Sequence, residues 1–112
     1  MASKQLTYDT MRSRDSATFT GSYQTLGSVF THPASIVKIV NNSNVLVTIS
    51  IDGVNDHDIL PANSFFLYDE TANSPHTENV YMRSGTQFYA KGSAGIGLVY
   101  LVVQYNKVIQ QI

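Results

Sequence analysis

A chain of 112 residues with 43% hydrophobic residues, only 13% charged residues and a formal net charge of −1 has the size of one domain and enough apolar matter for one core. Its seven basic residues are scattered, which excludes phosphate recognition through a basic patch. The absence of cysteine excludes disulfides, thiolate metal sites and cysteine nucleophiles.

The first residues, Met1 to Leu6, lack the apolar core of a signal peptide. No apolar run reaches the roughly 18 residues that cross a bilayer. The expectation is a protein made in the cytoplasm, with no membrane and no nucleic-acid partner. Residues 1–15 are polar without sustained periodicity, and Leu6, Tyr8 and Met11 are their large apolar groups. Three readings stand: a disordered tail, an arm docking on a neighbouring subunit through those three residues, or a short helix.

Residues 16–20 read as a short strand and Gly21-Ser22 as its end. Tyr23 to Phe30 supply the core candidates Leu26, Val29 and Phe30, with Gly27 marking a bend. After His32-Pro33, residues 34–41 form a strand, and the cluster Asn41-Asn42-Ser43-Asn44 reads as a turn. Val45, Val47, Ile49 and Ile51 alternate with Leu46, Thr48, Ser50 and Asp52, the pattern of a half-buried strand. The spacing predicts a hairpin between these two strands. Asp52-Gly53 opens a loop through Asp58, Ile59-Leu60 returns to the core, and Pro61-Ala62-Asn63 turns again. Residues 64–69 form a strand, and residues 70–78 an exposed loop. Two short strands, 80–83 and 86–91, precede a glycine-bearing hairpin at residues 92–95.

Residues 96–105, Ile-Gly-Leu-Val-Tyr-Leu-Val-Val-Gln-Tyr, are too rich in Val and Tyr for a good helix and too long for a turn. Residues 106–112 form a second tail in which Val108, Ile109 and Ile112 suggest docking. Strands of this number and spacing read as an all-β sandwich or a small barrel, and the expectation is an antiparallel β-sandwich, jelly-roll or Ig-like, at residues 16–105. Extended arms at residues 1–15 and 106–112 flank it.

Chemistry-bearing residues are few. Asp52, Asp56 and Asp58 lie within seven residues and are a candidate cation site, because calcium takes six to eight oxygen ligands. Their spacing departs from the EF-hand and zinc patterns, and Asp and Asn are also the ordinary residues of a solvated turn. His57 beside Asp58 suggests a dyad, but no serine sits in a nucleophile-elbow context. Gly92, Gly95 and Gly97 lack the Lys-Ser/Thr of a phosphate loop. No catalytic residue and no cofactor is expected. The five tyrosines from Tyr68 to Tyr105 suit core or intersubunit packing, or a sugar-stacking platform.

Three segments carry a resemblance: residues 47–69 from Val-Thr-Ile-Ser-Ile-Asp-Gly to Phe-Phe-Leu-Tyr-Asp, residues 85–95, and residues 97–103. Together they resemble a group of small virion proteins of tailed bacteriophages, over about residues 34–105. The resemblance implies a non-enzymatic β-sandwich component of the particle, at the head–tail junction as a neck or collar protein, with capsid decoration as the alternative. The implied partners are further copies of the chain, in a homo-oligomer such as a ring, and other virion proteins. The arms, through Leu6, Tyr8, Met11, Val108, Ile109 and Ile112, are then the expected contacts. A carbohydrate-binding module using the 52–58 and 70–78 loops stands as the reading from a different class.

Overall fold

The computed structural model describes residues 2–69 and 82–110, with side chains from 5 to 69 and from 82 to 107. Among the described residues nine strands form two antiparallel sheets packed face to face, as the sequence pattern predicts. The first sheet holds β1 (Ala2–Tyr8), β2 (Arg12–Asp15), β4 (Ala34–Ser43), β7 (Ser64–Asp69) and β9 (Gly97–Gln110). The second holds β3 (Gln24–Thr25), β5 (Val47–Ser50), β6 (Asp58–Leu60) and β8 (Tyr89–Lys91).

The strand orders are β1-β9-β4-β7, with β2 following β1 along the same side of β9, and β3-β8-β5-β6. From β2 to β5 the chain changes sheet at every connection. Among the described strands it makes one hairpin, β5–β6, and β7, β8 and β9 then fall in alternate sheets. This interleaved wrapping of two four-strand-wide sheets is that of a jelly roll, which decides between the two sandwich types expected.

The core lies between the sheets. Val37, Ile39, Val99, Leu101 and Val103 from the first sheet meet Val47, Ile49, Leu60 and Ala90 from the second. Phe19, Leu26, Phe30 and Phe88 fill the ends, and the Phe30 and Phe88 rings stack at 5.6 Å. Each such side chain contributes about 1.5–3 kcal/mol by leaving water.

Four expectations are corrected. Residues 16–18 form a 3-10 turn (Ser16–Thr18) instead of a strand, because the Asp15 side chain accepts from the Ala17 N–H and caps it. The Asn41–Asn44 cluster is not a turn through its length, since β4 runs to Ser43. The β4–β5 hairpin does not form. β4 pairs with β7 and β9, and the chain crosses at residues 44–46 to place β5 in the other sheet. The cause is Asn41, fully buried, whose amide donates to the carbonyls of Val45, Leu60 and Pro61 while its oxygen accepts from the Ser43 N–H and hydroxyl. These bonds replace a hairpin turn with a tether between the sheets. Fourth, the strand expected at 86–91 is ordered as strand only over Tyr89–Lys91. Of the strand expected at 80–83, Met82 bridges Ala34, and residues 80 and 81 lie outside the described residues, as does the 70–78 loop.

The two terminal segments join each other. β1 pairs along the far half of β9 from Tyr8↔Gln104 to Ala2↔Gln110. β4 ends its pairing with β9 at Ala34↔Tyr105, so beyond this point β1 and β9 continue as a two-stranded ribbon. The Tyr105 ring stacks on His32 at 4.0 Å, and the Asn106 amide donates to the Ser35 hydroxyl, which fixes the base of the ribbon. With the ribbon the molecule measures 51 × 24 × 22 Å.

Candidate functional site

The 52–58 loop is built from its own hydrogen bonds. Asp52 accepts from the backbone N–H groups of Val54 and Asn55, from the Asn55 amide and from the Ser50 hydroxyl. The Asn55 and Val54 backbone donors, ahead of the side-chain donors, hold its carboxyl well below the usual carboxylate range. Asp56 turns elsewhere. It accepts from the Tyr23 hydroxyl and pairs with Lys91 at 3.1 Å, and these contacts lower its pKa in that order. The Lys91 ammonium also lies 4.6 Å from the centre of the Tyr23 ring. Asp58 accepts from the Tyr68 hydroxyl at 2.6 Å.

The three carboxylates therefore serve three different partners. Among the described residues no group of three metal-ligating side chains converges. The pairing of His57 with Asp58 is also not formed. His57 Nδ1 accepts from the Ile51 N–H, so in the neutral ring Nε2 carries the proton, and it faces Asp52 at 3.8 Å. A pocket of about 200 Å³ lies beside this loop, lined by Ile49, Ile51, His57, Asp58, Tyr68 and Phe88, together with Met82. The polar groups at its rim are committed to one another and to the backbone. The arrangement orders a loop and closes one end of the sandwich.

The outward face of the first sheet is different in kind. Pairing register places its side chains in rows that cross the sheet. Tyr8, Gln104, Ile36 and Asp69 make one row, and Val102, Lys38 and Leu67 the next. Ser13, Tyr100, Val40 and Phe65 make the third, and Asp15, Leu98 and Asn42 the fourth. An antiparallel sheet with one face in water ordinarily alternates apolar and polar residues. Here many of the alternates of the buried set are themselves apolar, with Ser13, Asp15, Lys38, Asn42, Asp69 and Gln104 as the polar members of the rows. Phe65 is 62% exposed and Leu67 54% exposed, while Ile36, Val40, Leu98, Tyr100 and Val102 are half-buried by their neighbours alone.

The expected arm residues continue this surface. Tyr8 is 68% exposed in the first row, Leu6 lies two positions further along the same side of the ribbon, and Met11 is 58% exposed just before β2. Val108 and Ile109 occupy β9 opposite Lys4 and Ser3, and Ile112 lies outside the described residues. Sequence reasoning missed Phe65, Leu67, Val40, Tyr100 and Val102 as surface residues. The signal was present in the unbroken apolar runs of β7 and β9, which are the mark of strands covered on both faces.

Comparison of the chain with known protein families, with curated proteins and with solved structures returns no match. The functional reading therefore rests on the molecule's own geometry.

Proposed function

We propose that this protein is a non-enzymatic structural subunit of a larger assembly, a virion component of the kind found in tailed bacteriophages, at the head–tail junction. The observation that carries the reading is the terminal ribbon, which projects from the jelly roll and presents Leu6 and Tyr8 to solvent. An exposed aromatic and an exposed aliphatic residue on a projecting arm are anchors for the surface of a neighbouring subunit, where each gains the burial it lacks alone. The jelly roll agrees with this reading by analogy, since capsid proteins use it, and so do lectins.

The test uses the full chain. Light scattering across a concentration series should give a discrete oligomer for the wild type and a smaller species for the double variant Leu6→Asp/Tyr8→Asp, with unchanged circular dichroism. A double variant that assembles as well as the wild type overturns the arm as the assembly element. The virion placement has its own test. Mass spectrometry of purified particles made from a genome carrying this sequence should find the chain in stoichiometric amount, and particles without it overturn the placement.

A further inference from the structure

We infer that the outward face of the first sheet is the contact surface for a second copy of this chain, the two faces packing against each other about a two-fold axis. The inference rests on the assembly reading above and gives it a partner and a surface.

Three observations converge. The face is apolar at its centre, where Val40, Tyr100 and Val102 are flanked by the exposed Phe65 and Leu67. The face also carries both signs of charge. Lys38 stands in the second row, with Asp69 in the first and Asp15 in the fourth. A face of mixed sign meets its own copy without a wall of like charge, which suits a self-complementary partner better than a uniformly charged face would. Finally, area decides how the copies meet. Four strands at about 4.8 Å spacing and four rows at about 6.8 Å each give a face of roughly 500 Å². The ribbon adds roughly 200 Å², which brings the total close to the ~800 Å² per partner of stable interfaces. Pairing through the edge of β7 alone would cover roughly 200 Å², well short of that figure. Face-to-face packing, with the sheets about 10 Å apart, is the arrangement that buries enough.

The experiment takes full-length protein through sedimentation velocity over a hundredfold concentration range. The wild type should be dimeric or a multiple of dimers. Leu67→Glu, at an exposed position, should lower the mass at every concentration while the thermal midpoint of the monomer is kept. A second readout does not depend on a destabilising change. The chain has no cysteine, so Val40→Cys introduces a single thiol at the centre of the face. A short bis-maleimide should join Val40→Cys chains into covalent dimers, and should join few chains of Leu46→Cys, which is exposed in the crossing that leads from β4 to the other sheet.

A wild type that stays monomeric, a Leu67→Glu variant with wild-type mass, or a Val40→Cys variant that joins no better than Leu46→Cys overturns the inference. Loss of assembly in Leu6→Asp/Tyr8→Asp but not in Leu67→Glu overturns the face and leaves the arm. Loss in Leu67→Glu but not in the arm variant upholds the sheet face and removes both the arm and the ribbon's share of the interface, since Tyr8 stands in the first row.

Discussion

Asn41 shows how much of a sandwich can hang on one polar side chain. Its amide and carbonyl are fully buried and reach three carbonyls and Ser43, so both crossings, β4 to β5 and β6 to β7, meet at this residue. Leucine is close in size but offers no donor, and the buried carbonyls it would strand each cost about 1–3 kcal/mol. Asn41→Leu should therefore destabilise the protein by about 2–4 kcal/mol in urea unfolding; a loss below about 0.5 kcal/mol would show that solvent already serves those carbonyls. Arg12 is a second such point. Buried in the first sheet, it donates from Nε to the Ser28 carbonyl at 2.8 Å, pairs with Asp9 at 3.2 Å and lies over the Phe30 ring. Its stem occupies the place where a Cβ on Gly27 would sit, 2.3 Å from the arginine Cβ, and Gly27 has φ of 73°. Gly27→Ala should cost about 1–3 kcal/mol through overpacking and backbone strain together, read as a lowered urea midpoint at constant slope. Alkaline stability has a residue-level origin as well. Burial and the hydrogen bond to Asp56 push the Tyr23 hydroxyl up to about 12, and burial and Asp58 push that of Tyr68 higher still. An unfolded tyrosine ionises near 10. Because the folded values are raised, their contribution is whole below about pH 10 and is lost as the pH rises through about 12 and beyond. Thermal melts should fall over that window, and Tyr23→Phe should remove part of the fall; superimposable profiles would refute the assignment.

At the scale of elements, the ribbon and the sandwich should differ in local stability. β1 beyond Tyr8 pairs with a single neighbour, whereas β4 is held between β7 and β9. A two-stranded ribbon alone is marginal in water. Hydrogen exchange should find the amides of residues 3–7 opening well before those of 37–40, with the gap narrowing when the protein assembles. Equal protection in the dilute monomer would mean that the ribbon needs no partner. The elements also show where sequence was legible. β4, β5, β7 and β9 were readable because apolar residues there follow the strand period or run unbroken. β1 was not, because Ala-Ser-Lys-Gln-Leu-Thr-Tyr has almost no apolar pattern, and its order comes from backbone pairing with β9. The pairing of β4 with β5 was misread because an asparagine cluster signals a turn whether the chain returns in the same sheet or crosses to the other, and only the inward aim of Asn41 separates the two. The 52–58 loop was located correctly, but the direction of each carboxylate depended on Tyr23, Lys91 and Tyr68, all distant in sequence.

For the whole molecule, the charge-poor composition and the apolar outer face describe one property from two sides. A charged fraction about half that of ordinary globular proteins leaves little to solvate a broad sheet face, and the outward rows carry Lys38, Asp15 and Asp69 among their apolar residues. The position of β9 has a further, temporal consequence. β1, β2 and β4 each pair with β9, and among the described residues β4 alone of the three has another strand partner, β7. During synthesis the first sheet cannot close until residues 97–110 have left the ribosome, so β4 and β7 wait as a bare strand pair, joined through β5 and β6, with apolar residues on both sides. Closure then joins residue 2 to residue 110, a separation that contact-order reasoning associates with folding in milliseconds to seconds. Stopped-flow refolding should be slow on that scale, and nascent chains stalled before residue 97 should be protease-sensitive throughout. Microsecond refolding, or protection before β9 emerges, would mean that the second sheet folds without it. A chain that hides its aggregation-prone strand pair only at the last moment is exposed to wrong pairing throughout its own synthesis, and the proposed assembly would shorten that exposure by covering the pair.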